Sequence, residues 1–523
     1  MASREQVIDV PLGDRPYVTA YYSVGAEICQ NLYLERSTTD KSKAAYFWVK
    51  IPGLSRVRAA QSMAPCRGMF SAANGKVFGV WGNQFVEVDA AGAWTVRGLL
   101  LTSANPVSFA ENGAQVLVVD GMAGYIWGLV ASTWERITEG SFPGNSSGTI
   151  APTHAICIDT MFLVNQPGTN TYYWSNVGYQ STTATDPATG DKSYKAGVGS
   201  YWDGLTAGQG FKLGKPDQIM AIATCANQAW LVGSRSVEVH YNTGNYPETW
   251  ARYEGAMFEC GCSARFSVTH WMTNVFWLGT DETGVVGVFT NDGYSPKRLS
   301  ERGIEQRIEK MERYDDAVGF MLSQHGHTFY VLQFPTGDKT FVYDLATGTW
   351  TERTYLQASD GTIHAWRGMF SAYSASACRN LVGDRSSDAV FWSNPQAYSN
   401  DDETGDTWNY IQAVKTVPIL YQMGALVCHN WLEIVAQQGV GLQLNTAAGV
   451  GAHPVVRLAF SNDNGVTWSS ERMVAIGAQG EYQRRSRTPN LGAARNRVYR
   501  VSFTDPTPFI LVGLVAGITV GNG

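Results

Sequence analysis

The chain has 523 residues, of which 44% are hydrophobic, 12% aromatic and 16% charged, with 55 Gly and a formal net charge of −6. Globular chains average about 25% charged residues and about 7% Gly, so this one is poor in charge and rich in Gly and aromatics. Such a composition excludes intrinsic disorder as the main state, because disorder needs low hydrophobicity and high net charge. It also excludes a long coiled coil, in which Ala, Glu, Lys, Leu and Arg dominate.

The first ten residues, Met1–Val10, contain no apolar core of signal-peptide length, so synthesis and assembly in a cytoplasm are expected. The acidic balance gives no blanket attraction to nucleic acid or anionic lipid. From about residue 60 onward, short β-branched and aromatic runs alternate with Gly, Asn-Gly and Asp-Gly turns, which reads as strand almost throughout. Seven apolar runs recur: Lys76–Trp81, Gln115–Asp120, Thr160–Asn165, Ala229–Gly233, Val275–Gly279, Thr328–Leu332 and Asn380–Asp384. Each precedes a second strand, and several then reach a Trp (Trp94, Trp134, Trp250, Trp350). Their spacing of roughly 40–55 residues, with one interval nearer 70, is the period of propeller blades. Stacking such blades into a ring buries apolar faces that one blade alone would expose. The expected fold is therefore all-β, a propeller of six or seven blades with an additional C-terminal β domain.

The expected boundaries are an N-terminal segment over 1–60 leading into the propeller, the propeller over 61–400, and the C-terminal β domain over 401–523. The long interval holds an insertion at about 175–215, too poor in aliphatic residues to bury itself. One short helix is predicted after Ser300, with Ile304, Ile308 and Met311 on one face. The acidic loop Asp401–Asp406 reads as the junction into the last domain. The most apolar run, Pro508–Val520, is too short for a bilayer helix of about 18–20 residues and reads as a buried strand.

Ser461, Asp463, Gly465, Thr467 and Trp468 match an Asp-box, S-x-D-x-G-x-T-W. Its side chains satisfy turn amides and its Gly supplies a positive φ, so the motif predicts a hairpin rather than catalysis. Asp-boxes also occur in sialidases, which keeps a glycan-active or glycan-binding propeller as the alternative. That reading needs an arginine cluster, a Tyr–Glu pair and an acid/base carboxylate, whereas one box and Lys50-Ile51-Pro52 are what this chain offers. Adjacent carboxylates such as Asp315-Asp316 point to opposite faces of a strand and make poor acid/base pairs.

No phosphate-binding loop, nucleophile elbow or zinc-protease helix motif is present, so no enzyme activity, cofactor or metal is expected. The eight Cys suit buried thiols, and Cys260-Gly-Cys262 lacks the second pair that a zinc site needs. His325 and His327, two apart, are expected to share a strand face, but no third ligand can be named. The basic signal is Arg484, Arg485, Arg487, Arg495, Arg497 and Arg500, with no acid between Glu481 and Asp505. It reads as a solvated, partly paired strand face, as a subunit or adaptor contact, or as a phosphate contact, and is too small on an acidic chain to argue sequence-specific DNA binding.

Taken in order, several segments resemble the packaged-DNA stabilisation, or tail-hub and nozzle, proteins of short-tailed bacteriophages. They are Asn31–Glu35 with Ile51–Leu54, Arg67–Ala72, Val77–Gly82, Glu238–Gly244, Arg252–Ala256, Glu259–Cys262 and Val275–Gly279. Gly326–Tyr330, Tyr343–Trp350 with Glu352-Arg353, and Leu491–Arg495 follow. The insertion at 175–215 and the stretch Pro247–Trp250 depart from the family pattern. The resemblance implies a structural virion protein of the tail, a β-propeller protein forming a ring, typically of six copies. Such a ring closes the portal channel after packaging and forms the conduit for DNA ejection. The implied partners are its own copies, the portal adaptor, tail needle, fibre or spike proteins, and packaged DNA passing non-specifically, with no membrane insertion.

Overall fold

The computed structural model describes residues 5–13, 27–37, 44–176, 202, 207–245, 248–357, 360–401, 408–422, 424–442 and 450–521. Antiparallel sheets account for nearly all of its regular structure, and one helix, Arg302–Glu309, is present among the described residues. No helix there is long and apolar enough to cross a membrane.

Seven blades form the propeller. Blades 1 to 4 are the sheets that begin at Cys66–Ser71, Ser108–Glu111, Ala155–Ile158 and Ile219–Cys225, each with four strands in sequence order. Blade 5 is built on Asn274–Thr280, with its inner position shared by Gly261–Cys262 and Thr269–Trp271. Blade 6 runs from Val318–Gln324 to Thr349–Glu352. Blade 7 takes three strands from Gly368–Ser374, Arg379–Asp384 and Val390–Asn394, and its fourth is Gly53–Arg58. The innermost strands meet their neighbours around the ring, and that of blade 7 packs against that of blade 1.

The seven apolar runs picked out by spacing are the second strands of these seven blades. They are buried on both faces, as Gln115–Val119 and Met161–Asn165 are along their whole lengths, which explains why they carry continuous apolar runs rather than alternation. The recurring Trp residues sit on the outer strands and fill the wedge between blades. The Trp134 ring stacks 4.6 Å from Phe85 of blade 1 and 5.1 Å from Tyr125 of its own blade. Trp350 donates its indole N–H to the Leu299 carbonyl at 2.9 Å.

The C-terminal unit is a β-sandwich. One sheet runs Leu32–Arg36, Tyr46–Lys50, Ile510–Val520, Val427–Ala436 and Arg487–Pro489, and Gln6–Val10 also pairs with Ile510–Val520. The other runs Cys29–Gln30, Ala413–Thr416, Asn496–Phe503, Val455–Ser461 and Arg472–Ala475. A single core of Leu34, Trp48, Leu432, Tyr499, Phe503 and Leu511 with their neighbours joins the two. The run 508–520 thus contains a central strand. The first 60 residues divide between the two units: strands over 6–50 belong to the sandwich, and Gly53–Arg58 closes the ring. Gly53 is required at that crossing, because a Cβ there would lie 1.8 Å from the Ser399 carbonyl oxygen.

Two local expectations change. The helix starts at Arg302 with Glu301 at its N-cap, and the Ser300 hydroxyl instead donates to Glu305 at 2.7 Å. Cys378 and Cys428 are exposed rather than buried.

The second sheet of the sandwich is continuous with blade 6, since Gln30 pairs in parallel with Glu352. Asn31, held at φ 54°, exchanges two 2.8 Å bonds with Thr354 beside this seam. His325 and His327 lie here too, but they do not share a strand face. His325 occupies a left-handed turn at φ 50° and bonds Tyr33, whereas His327 opens the next strand. His327 bridges Glu35 of the sandwich and Asp344 of blade 6, both at 2.8 Å. The Asp344 hydrogen bond raises its pKa to about 8, against the opposing effect of burial. A raised histidine pKa gives stability that is full below about pH 6.5 and lost as pH rises through about 8. Thermal unfolding followed from pH 6 to 9 is therefore expected to show the wild type losing about 1–2 kcal/mol relative to His327→Gln across that window. The comparison cancels buried Lys50, whose pKa is lowered to about 7 by burial and whose contribution runs the other way in both proteins.

Candidate functional site: channel mouth, Asp-box and arginines

A concavity of about 800 Å³ opens at the centre of one propeller face. Six of the seven blades contribute to it, through Arg67, Asp120, Thr153, Arg265, Gln333 and Arg385 among others. The Arg67 guanidinium donates to the carbonyls of Gly82, Thr102, Ala104 and Asn105 and to the Thr102 hydroxyl, at 2.6–2.8 Å. Asp120 accepts from the Thr102 hydroxyl at 2.8 Å and from the Met122 and Ala123 amides at 2.9 and 2.7 Å. Arg385 pairs with Asp338 at 3.0 Å, and Asp316 accepts the Thr336 amide and hydroxyl at 2.9 and 2.6 Å. Beneath Phe266 lies His154, stacked at 5.4 Å, whose pKa falls to about 3 through burial and the nearby Arg265 charge. It is neutral at physiological pH. The mouth joins residues scattered from 65 to 385 through the loops between blades, and no local motif marks them.

The Asp-box forms the turn its pattern predicts, between Val455–Ser461 and Arg472–Ala475. The Asp463 carboxylate accepts from the Ser461 hydroxyl at 2.6 Å and from the Thr467 amide at 2.9 Å. Ser461 in turn accepts the Gly465 amide at 2.8 Å, and Gly465 has φ 96°. These donors hold the Asp463 pKa down at about 2. Trp468 lies half-buried under the Arg500 guanidinium, 4.4 Å from its ring. The Ser461, Asp463 and Thr467 side chains all serve the turn. Hydrogen exchange should speed up selectively at the Gly465 and Thr467 amides in Asp463→Ala, with the rest of the sandwich unchanged.

The six C-terminal arginines do not gather into one patch. Arg485 and Arg487 share Glu433 at 2.7 and 3.2 Å, and Arg487 also lies 3.5 Å over Trp431. Arg484 pairs with Glu481 at 3.2 Å, Arg495 donates to the Gly424 carbonyl, and Arg500 is 3.9 Å from Glu471. Arg497 is buried in the sandwich, 1% exposed, with its guanidinium 4.3 Å over Phe460 and one bond of 2.9 Å to the Leu491 carbonyl. It cannot meet a partner. Glu433 and Glu471, which face three of the six, lie outside 481–505, so a reading limited to that stretch could not see them, whereas Glu481 pairs with Arg484 from within it. Among described residues the Nε and one terminal nitrogen of Arg497 have no hydrogen-bond acceptor. A buried cation so poorly matched is costly, and an apolar side chain of similar size often replaces such a charge without loss. Arg497→Met should accordingly hold or raise the unfolding free energy, and Arg497→Glu should lower it by about 3 kcal/mol or more. Denaturant titration of the purified variants would separate the two.

The expected insertion lies mostly outside the described residues, as do 402–407 of the acidic loop. Its described flank is anchored: the Asn176 side chain accepts the Ala207 amide at 2.7 Å, and Trp202, 3% exposed, packs edge-on to Phe142 at 4.8 Å. Within the expected bounds Gly208–Phe211 is the outer strand of blade 3, and Lys212 is fully buried, pairing with Asp217 and donating to the Lys215 carbonyl at 2.8 Å. Asp401 accepts the Arg56 amide at 2.8 Å, a bond to the ring-closing strand. Among the described residues no group of three or more His, Cys, Asp or Glu could hold a metal ion.

Comparison with known proteins places this architecture. Residues 210–392 match the family described as bacteriophage P22 Gp10, beta-propeller, and residues 412–519 match bacteriophage P22 Gp10, beta-sandwich. No curated protein sequence matches the chain. Solved structures with a similar fold include the WD40 β-propeller domain of Doa1, at 8% identity and TM-score 0.38, covering 66% of this chain and 98% of that one. The N-terminal domain of Nup159 is similar at 10% identity and TM-score 0.38, covering 70% and 99%. An exo-β-1,3-galactanase from Phanerochaete chrysosporium is similar at 10% identity and TM-score 0.27, covering 78% and 95%. With TM-scores this low, these three carry no functional information. The two family matches, in order and on the two units seen in the fold, show that the chain belongs to the bacteriophage P22 Gp10 family of phage structural proteins.

Proposed function

We propose that the protein is a ring-forming hub or nozzle of a phage tail, which closes the portal channel after packaging and forms the conduit for DNA ejection. The observation that carries this reading is the paired match to the propeller and sandwich of P22 Gp10. The expected ring is a homohexamer in contact with the portal adaptor and with needle, fibre or spike proteins, assembled in the host cytoplasm. Its function is contact rather than chemistry. A closed cyclic ring needs a heterologous interface, in which two different surfaces of each copy meet. Blades 1 to 5 have outer strands that no other described strand covers, and the sandwich stands off blade 6, so the chain offers unlike surfaces. A net charge of −6 suits a wall along which DNA must slide without sticking. Of the six C-terminal arginines, Arg484, Arg485 and Arg495 remain as candidate subunit or adaptor contacts.

Cryo-electron microscopy of the virion tests the proposal. A six-fold ring of this chain beneath the portal adaptor is the expected outcome, and its presence in the capsid shell, at a fibre tip or nowhere in the particle would overturn it. The non-enzymatic reading has its own test in fluorogenic sialosides and other glycosides. No turnover is expected from the purified chain, and turnover abolished by changing one carboxylate would count against it.

A further inference from the structure

The channel mouth carries features that propeller architecture alone does not demand. Its volume of about 800 Å³ falls in the range of about 300–1,000 Å³ typical of ligand-binding concavities. Apolar side chains stand exposed on the same rim, with Met122 at 59% and Leu101 at 52%. Leu101 adjoins the lining residue Thr102, and Met122 is itself part of the lining. Exposed large apolar side chains grouped around a concavity mark a contact surface.

The charges around this rim are almost all answered from within. Arg67 is saturated by carbonyls, Arg385 by Asp338, and Arg313 by Asp315. Asp120 serves its own turn, and Asp316 holds Thr336 of a neighbouring loop through one carboxylate oxygen, the other having no hydrogen-bond partner among the described residues. Among the cations Arg265 is the exception. Its guanidinium has no hydrogen-bonded acceptor among the described residues, and it reaches Asp315, already paired with Arg313, through space alone. Phe266 beside it rests on the neutral His154, so the floor next to this cation is aromatic and uncharged. A half-buried guanidinium with unused donors is a planar fork shaped for a carboxylate.

We propose that the mouth is a docking site for an extended segment of a different virion protein, which presents an Asp or Glu carboxylate to Arg265 and aliphatic side chains to the Met122 rim. The inference rests on the chain being a component of the particle. Charge complementarity selects this occupant: one unanswered cation in a mouth whose other cations are paired, with Met122 and Leu101 exposed on the rim, fits a single carboxylate on an apolar segment. A nucleic acid backbone would need several uncommitted cations.

The test uses assembled particles. A photo-crosslinking benzoylphenylalanine replaces Met122, and a control carries it at Met272, which is 77% exposed in the turn after the inner strand of blade 5, at the opposite end of the blades. After irradiation, Met122 should yield a crosslink to one defined peptide of another virion protein, with an acidic residue within a few positions. The control should not reach that peptide. Arg265→Glu should cut the yield at least about tenfold, in keeping with loss and reversal of a charge-assisted pair, and Arg265→Lys should keep most of it. Arg265→Gln, which removes the charge with little change of shape, gives the same reading if the Glu variant fails to assemble.

Crosslinks to DNA, to a second copy of this chain or to nothing in particles that contain the variant would overturn the docking site, as would a yield indifferent to Arg265. Wild-type particles lacking the chain would overturn the tail-component reading itself, so the two failures are distinct.

Discussion

The fold depends on one strand pairing. Gly53–Arg58 completes blade 7 against Val390–Asn394, joining residues more than 300 positions apart, and without it the ring stays open between blades 7 and 1. An open propeller would expose the apolar faces of two blades, including Val77, Trp81, Leu381 and Val390, which now share one core. The closing strand is tied down on several sides. The Arg58 guanidinium donates to the Asp388 carbonyl at 2.7 Å and stacks 3.7 Å over Trp94 of blade 1. The Leu54 amide is accepted by Asn400 at 2.9 Å. Such long-range closure carries an entropic cost that must be met before its contacts reward it.

That constraint reaches into the sandwich. The chain passes through Leu32–Arg36 and Tyr46–Lys50 before it arrives at Gly53, so the closing strand is held at one end by the second unit. The sandwich in turn cannot complete its sheets until Ile510–Val520 is available to pair with Tyr46–Lys50 and Gln6–Val10. Both units therefore depend on the same N-terminal stretch, and the continuous sheet through Gln30 and Glu352 makes them one mechanical body at that seam. The seam is polar and buried: Glu352, 3% exposed, accepts from Arg307 at 2.7 Å and Gln30 at 3.2 Å. Both bonds fall on Oε2, while the buried Oε1 has no hydrogen-bond partner among the described residues and faces the Lys339 ammonium at 3.8 Å.

Much of this was legible in the sequence because blade second strands carry a signal that survives without context. They are buried on both faces, so continuous apolar runs such as Val116-Leu117-Val118-Val119 repeat at blade spacing. The Asp-box was legible for a related reason, since all of its bonds lie within Ser461–Thr467. What stayed hidden was long-range. Nothing local in Leu32–Lys50 says that these strands pair with residues beyond 500 rather than lead into the propeller. Likewise, six arginines between two acids read as one basic face, although Glu433 and Glu471 answer three of them and the sandwich core takes Arg497. Pairing partners distant in sequence decide such cases.

The same contrast bears on how a β-rich structural protein keeps its surfaces available. A propeller whose charges are mostly spent internally has a surface governed by shape and by the few groups left over. Here Asp281 caps the Thr283 amide at 2.9 Å, and one oxygen of Asp316 holds Thr336. The Thr283 hydroxyl, with the Val285 and Thr283 amides, holds the Asp281 carboxyl below the usual carboxylate range. Rigid loops with defined surfaces are what a repeated contact in an assembly requires, because little ordering entropy is left to be lost on binding. The turn chemistry that builds the blades thus also fixes the course of the loops on their faces.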